Sequence, residues 1–238
     1  METNQIPVII NKNKLNQFKL GSSSQFPIKT LVGILFWLLL IMIVVLKLVV
    51  FQQVSVVGAS MEKNYFNGET LLINQLDRNL NRGQVVAVYR DKEVAKNADY
   101  FTRFQATFFL KRIIGLPNEE IEIIGNQVII YNDQHKNGSF FIEDYISSDV
   151  SKAMISSNYY FPKTKILPGN FFLMGDNRTN SLDSRSLGAF AEFAIFGQES
   201  VRFWPFDRLT FFSLPDYKYK DLDENLKTKK NELEKRMN

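Results

Sequence analysis

The chain of 238 residues contains no cysteine and a single histidine. The first absence excludes disulfide staples, thiolate metal sites, iron–sulfur clusters and a cysteine nucleophile. The second excludes a histidine-rich metal centre. His135 sits in the polar loop NDQHKNG, where a solvated loop role is expected rather than that of a catalytic base. A nucleophilic hydrolase built from this sequence therefore has to use another base. Lysine can serve if burial lowers its pKa from about 10.4 to near 8, a differential of roughly 3.3 kcal/mol against the charged form. Internal repeats and low-complexity linkers are also missing, and the length suits one folded domain with appendages.

Excess charge is missing from most of the chain. Of the formal +4, residues 1–29 supply Lys12, Lys14, Lys19 and Lys29 against Glu2, and 216–238 carry seven basic and six acidic residues, which leaves 30–215 neutral. A nucleic-acid partner is not expected from such a distribution. What is present instead is a long apolar run from Thr30 to Leu46, resuming after Lys47 as far as Phe51. At about 1.5 Å per residue, 30–51 gives roughly 33 Å of helix, enough to cross a ~30 Å hydrocarbon core. Lys47 falls near the distal end, where its stem can follow the helix while the ammonium reaches the interface. A cleavable signal peptide is the closest competitor, but its apolar region is usually only about 7–15 residues. The four lysines before the run place a segment 1–29 in the cytoplasm and everything beyond Phe51 outside, in a single-pass protein of the cell membrane.

After residue 51 the chain breaks into short apolar or alternating runs: VSVV from Val54, ETLLIN from Glu69, QVVAVYR from Gln84, EIEII from Glu120, QVIIYN from Gln127, NFFLMG from Asn170 and RLTFF from Arg208. Turn dipeptides separate them, among them Asn67-Gly68, Arg82-Gly83 and Pro168-Gly169. The expectation is a mainly β domain over 52–215, a curled antiparallel sheet of barrel-like form. In 216–238, Leu222, Leu226, Leu233 and Met237 form a helical stripe in a charged background, which predicts a solvated or weakly amphipathic terminal helix.

Two lysines attract the role of base. Lys63 stands three residues after Ser60 in SMEK, but that spacing needs a helix beginning at the serine, and Asn64 to Gly68 reads as a turn. Lys111 lies in FFLKRIIGLP, where Phe108, Phe109 and Leu110 before it and Ile113 and Ile114 after it force the amine into a dry neighbourhood. Composition and spacing alone leave open a membrane-tethered β module that binds an extended peptide without cutting it.

The order of apolar span, VVGASM from Val56, RGQVVAVY from Arg82, LKRIIGLPNEEIEI from Leu110 and MGDNRTNSLDSRSLG from Met174 resembles bacterial type I signal peptidase. The resemblance covers roughly residues 30–215, and its most specific stretch is the eleven-position GDNR-x-NS-x-DSR. It implies a serine endopeptidase that cuts signal peptides from exported preproteins after small residues, holding the substrate as an extended strand beside the sheet. It implies Ser60 as nucleophile, Lys111 as general base and Ser181 as the group that orients the Lys111 amine. Asp183 and Arg185 would form a bracing ion pair, and Asp176, Asn177 and Arg178 the supporting turn. Met61 would line the substrate cleft, and Gly58 would stand where some members place an oxyanion-assisting serine, leaving that task to backbone N–H groups such as that of Ser60. The implied partners are preproteins and the lipid bilayer, and the implied chemistry needs no metal or other cofactor. The chain departs from the pattern at Lys63, Asn118 and Thr179, where proline, glycine and aspartate are common. A self-cleaving Ser–Lys repressor shares the dyad, but the apolar span and the lack of a DNA-binding helical domain disfavour it.

Overall fold

The computed structural model describes residues 27–46, 50–97, 99, 106–125, 127–146 and 158–237. The segment 1–26 and Lys47 lie outside them, so the basic collar and its snorkelling lysine remain expectations.

Two units are separate: 1–44 and 45–238. In the first, α1 (Ile28–Val45) is an 18-residue helix, about 27 Å long, with no buried residue. Its apolar side chains are exposed on every side, and the helix is long and apolar enough to cross a membrane. Phe51, the last residue of the expected span 30–51, instead opens strand β1 (Phe51–Ser55), where it pairs with Asn74.

The second unit is built from two antiparallel sheets. The larger uses β1, β2 (Thr70–Asn74), β3 (Val85–Tyr89), β4 (Phe108–Gly115), β9 (Asn170–Met174), β10 (Phe190–Ala191), β11 (Ile195–Trp204) and the short β12 (Thr210–Phe211). Its strand order is β1-β2-β11-β3-β4-β9-β10, with β12 added to β11. The smaller uses β5 (Glu120–Ile124), β6 (Gln127–Tyr131), β7 (Ser139–Phe141), β8 (Tyr160–Lys165) and β13 (Tyr219–Asp221), in the order β13-β7-β6-β5-β8. Both are open ladders from edge to edge, so the barrel-like expectation reduces to curled sheets without closure. A short helix, α2 (Lys92–Asn97), follows β3.

The β-branched runs explain the two cores. Every residue of β3 is buried, as is β4 from Leu110 onward. These strands share a core with Leu71, Ile73, Leu173 and Ile195. Ile121, Ile123, Val128 and Ile130 make the core of the smaller sheet with Phe172 and Met174 from β9. The turn from β4 to β5 passes through Asn118, whose φ of 71° is left-handed. That conformation suits glycine best, and asparagine is among the side chains that tolerate it most readily.

The tail is docked rather than solvated. β13 pairs with β7, and helix α4 (Glu224–Met237) buries Leu226 and Leu233 against Ile124 and Ile129. Beside them the fully buried Glu122 accepts hydrogen bonds from Tyr131, Tyr160 and Lys230. A stripe of two leucines is too thin to hold a helix alone; the buried carboxylate receiving Lys230 supplies the second attachment.

Candidate active site

Lys111 lies in the middle of β4, opposite Val86 of β3. Strand alternation sends its side chain to one face and that of Arg112 to the other. The Lys111 side chain is one of the largest fully buried ones, 2% exposed, and its Nζ lies 2.8 Å from Ser60 Oγ. Nζ also donates to the Leu110 carbonyl at 3.0 Å. Burial disfavours the ammonium and lowers the Lys111 pKa to about 8, against the opposing pull of Asp183 and then Asp176, with Arg185 adding to the lowering.

Ser60 opens the tight turn 60–64, in which Asn64 and Tyr65 both donate backbone N–H groups to the Met61 carbonyl. The side chain is half-buried, open on one side. Two residues of the GDNR stretch hold the turn from below. Asn177 donates its backbone N–H to the Ser60 carbonyl and its side-chain amide to the Ala59 carbonyl, each at 3.0 Å. Asp176 donates its N–H to Met61 Sδ at 3.4 Å. Met61 is only 1% exposed, so it packs beneath the nucleophile turn instead of facing an open cleft. Gly175 admits this approach: a Cβ there would meet Ser181 Oγ at 2.2 Å and the Ser60 carbonyl at 2.4 Å.

The Gly58 N–H donates to Asn67 Oδ1 at 3.1 Å and is thereby occupied. Among the described residues the Ser60 N–H donates to nothing.

Asp183 and Arg185 pair through two hydrogen bonds of 2.9 and 2.8 Å. They are brought together because Asp183 caps the short helix α3 (Ser184–Leu187), and Arg185 lies in its first turn. Burial pushes the Asp183 carboxyl up, but the Arg185 guanidinium, the Gly175 N–H and Ser181 together hold it below the usual carboxylate range. Ser181 Oγ is shielded from solvent and has no partner in hydrogen-bond geometry, although it lies near enough to Asp183 to favour the charged carboxylate. It makes no hydrogen bond to Lys111.

Beneath the site runs a buried ionic frame. Arg112 clamps Asp176 through two hydrogen bonds of 2.8 and 2.6 Å, and Arg178 pairs with Glu143. Thr179 is exposed and reaches only the Asn177 side chain, at 3.2 Å. Lys63 is exposed at the crest of the turn. His135 lies far along the chain in the β6–β7 loop, stacked on Tyr219 and 3.0 Å from Ser139 Oγ. The expectations at Ser60, Lys111 and the GDNR stretch thus converge in space. Sequence reasoning missed Arg112, Glu143 and Asn64; for Arg112 the signal was available, since a residue beside a buried lysine in a strand must point the other way and needs its own acid.

Residues 28–204 match the family model described as "Signal peptidase, peptidase S26". Signal peptidase I P of Bacillus subtilis subsp. natto is 30% identical over 177 residues, which cover 71% of this chain and 86% of that protein. Signal peptidase I U of Bacillus subtilis (strain 168) is 29% identical, covering 76% and 91%. A solved signal peptidase I from Enterococcus faecalis V583 aligns with 50% of this chain and 94% of its own at 25% identity and a TM-score of 0.35.

Proposed function

The chain belongs to the signal peptidase family S26, and from that membership we propose that it removes signal peptides from exported preproteins by a Ser60–Lys111 mechanism. The observation that carries the mechanism is the 2.8 Å separation of Ser60 Oγ from an amine that is 2% exposed. A neutral Lys111 accepts the Ser60 proton as Oγ attacks the scissile carbonyl. The Ser60 N–H receives the oxyanion. Collapse of the tetrahedral species breaks the C–N bond, the Lys111 ammonium protonates the leaving amine, and an acyl group remains on Ser60. Lys111 then takes a proton from water, whose oxygen attacks the ester and frees the signal peptide.

Asp183 and Asp176 stabilise the transient ammonium, while burial keeps the resting amine partly neutral near pH 8. Ser181 acts on the amine through Asp183, whose charged carboxylate it favours, rather than by a hydrogen bond of its own, and Arg178 with Glu143 secures the supporting turn. The substrate binds as an extended strand, with small side chains at the third and first positions before the cut. Helix α1 anchors the chain in a bilayer with the N-terminus cytoplasmic and the catalytic unit on the other side.

Processing of a preprotein by the full chain in detergent tests this reading. Ser60→Ala and Lys111→Ala abolish cleavage, whereas Lys63→Ala and His135→Ala leave it near wild type. Wild-type turnover by Lys111→Ala overturns it.

A further inference from the structure

The turn that carries Ser60 is fastened at its far end as well as beneath. Asn64 Nδ2 donates to Asp176 Oδ2 at 2.7 Å and to the Tyr145 carbonyl at 2.9 Å, using both of its hydrogens. Asp176 is itself 2% exposed and held by Arg112, the residue after Lys111. Its neighbour Asn177 holds the Ser60 carbonyl. The covalent and hydrogen-bonded path from Ser60 through Asn64, Asp176 and Asn177 therefore returns to Ser60, and a second path through Arg112 ties the same aspartate to the strand that carries the amine. Asn64 borders a cavity of about 580 Å³, which Tyr65, Arg112, Tyr145 and Glu199 also line and Ser60 and Lys111 do not. Its side chain thus acts from the face of β4 away from the reacting atoms.

We propose that Asn64 is a positioning residue for the Ser60–Lys111 pair: by bridging Asp176 and the Tyr145 carbonyl it fixes the end of the nucleophile turn and so sets the separation of Oγ from Nζ. The proposal rests on the Ser–Lys reading. Loss of this bridge frees the turn to shift, and a displacement near 1 Å in a reacting pair is enough to cost on the order of 100-fold in rate. Asn64 does not touch Lys111, so its removal leaves the amine's burial, and hence its proton affinity, in place.

The test is acylation of Ser60 in the full chain by a small activated ester, followed as a function of pH and ester concentration for wild type, Asn64→Leu and Asn64→Ala. Leu keeps the volume without the donors, and Ala removes both, so at least one variant reports even if the other folds poorly. The expected result is a fall of roughly 10- to 100-fold in the high-pH plateau rate, with the half-saturating ester concentration and the pH midpoint unchanged. A plateau within twofold of wild type in either folded variant overturns the proposal. So does a fall accompanied by a midpoint that rises toward the ordinary lysine range, since that marks a site opened to water rather than a displaced nucleophile. If Lys111→Ala acylates at the wild-type rate, it is the Ser–Lys reading that fails.

Discussion

Asn177 holds the backbone of Ser60 rather than its hydroxyl: its N–H reaches the Ser60 carbonyl at 3.0 Å, and its side-chain amide reaches the carbonyl of Ala59, also at 3.0 Å. The nucleophile is thereby oriented by a neighbour that never approaches the reacting oxygen. Asn177→Ala keeps the backbone bond and loses the amide. Deleting one such bond costs about 1 kcal/mol of stability, a small effect. The expected effect on acylation of Ser60 is larger, about tenfold, because orientation enters the rate directly. Unfolding curves and acylation kinetics on the same preparation check both; equal, small losses in both speak against an orienting role.

Lys111 sets the pH dependence. Its pKa is lowered to about 8, chiefly by burial, and in the proposed mechanism the neutral amine is the active form. Cleavage rate is expected to rise tenfold per pH unit below about 8 and to level off above it. Asp183 is the largest influence holding the amine protonated, so Asp183→Asn is expected to move the midpoint downward. A kcat/KM profile from pH 6 to 10 for both proteins decides it, and an upward shift contradicts the assignment.

Glu199 makes a second pH-linked prediction, this time for stability. Its carboxyl is 4% exposed and accepts a hydrogen bond from Tyr65, and burial raises its pKa to about 7 despite the pull of Tyr65, Arg202 and Arg112. The folded state therefore holds this proton more tightly than the unfolded state. Its contribution is complete below the ordinary glutamate value near 4.5 and is lost as pH rises through about 7. The loss is on the order of 3 kcal/mol. Glu199→Gln is expected to unfold with a weaker dependence on pH between 5 and 8 than wild type, read from denaturant melts. Parallel curves for the two proteins rule the assignment out.

The docked tail predicts a local stability effect. Leu226 is 7% exposed and packs with Ile124, Ile129 and Leu233. Leu226→Ala is expected to cost about 2 kcal/mol and to release α4 to proteolysis while leaving acylation of Ser60 unchanged. Limited digestion with mass analysis of the C-terminal fragments is the check. An α4 as resistant as in wild type shows that the helix is held mainly by the polar contacts of Lys230.

Much of this site was legible in the sequence, for physical reasons that differ from residue to residue. Lys111 is suggested by its apolar neighbours Leu110, Ile113 and Ile114, but a lysine beside an arginine is usually at the surface, and only the motif constellation singles it out; the buried strand supplies the missing reason. Ser60 was legible only through its motif, since no local pattern distinguishes a reactive serine. Asn64 was hidden for a different reason: its partners are Asp176 and a backbone carbonyl 81 positions away, and such pairings leave no local trace. Strand β11 was also missed. Gly197, Gln198, Glu199 and Ser200 interrupt its apolar residues, and two shifts in its register with β2 disturb the alternation that marks a strand. The leucine stripe of the tail marks a solvated or weakly amphipathic helix, and its charged composition hides how firmly that helix is docked. The fully buried Glu122 that receives Lys230 lies 108 positions away, in strand β5.

The placement of Lys111 and Arg112 on opposite faces of β4 makes odd and even a chemical distinction. Val86 stands opposite Lys111 and Val85 opposite Arg112; slide the strand by one residue and the two side chains exchange faces. A guanidinium would then face Ser60, and no environment makes it a base near neutral pH. The irregularity that β4 does contain, between Ile113 and Gly115 in its pairing with β9, falls beyond both residues. The parity of the strand is thus kept where the reaction depends on it, and the backbone takes up its slack downstream.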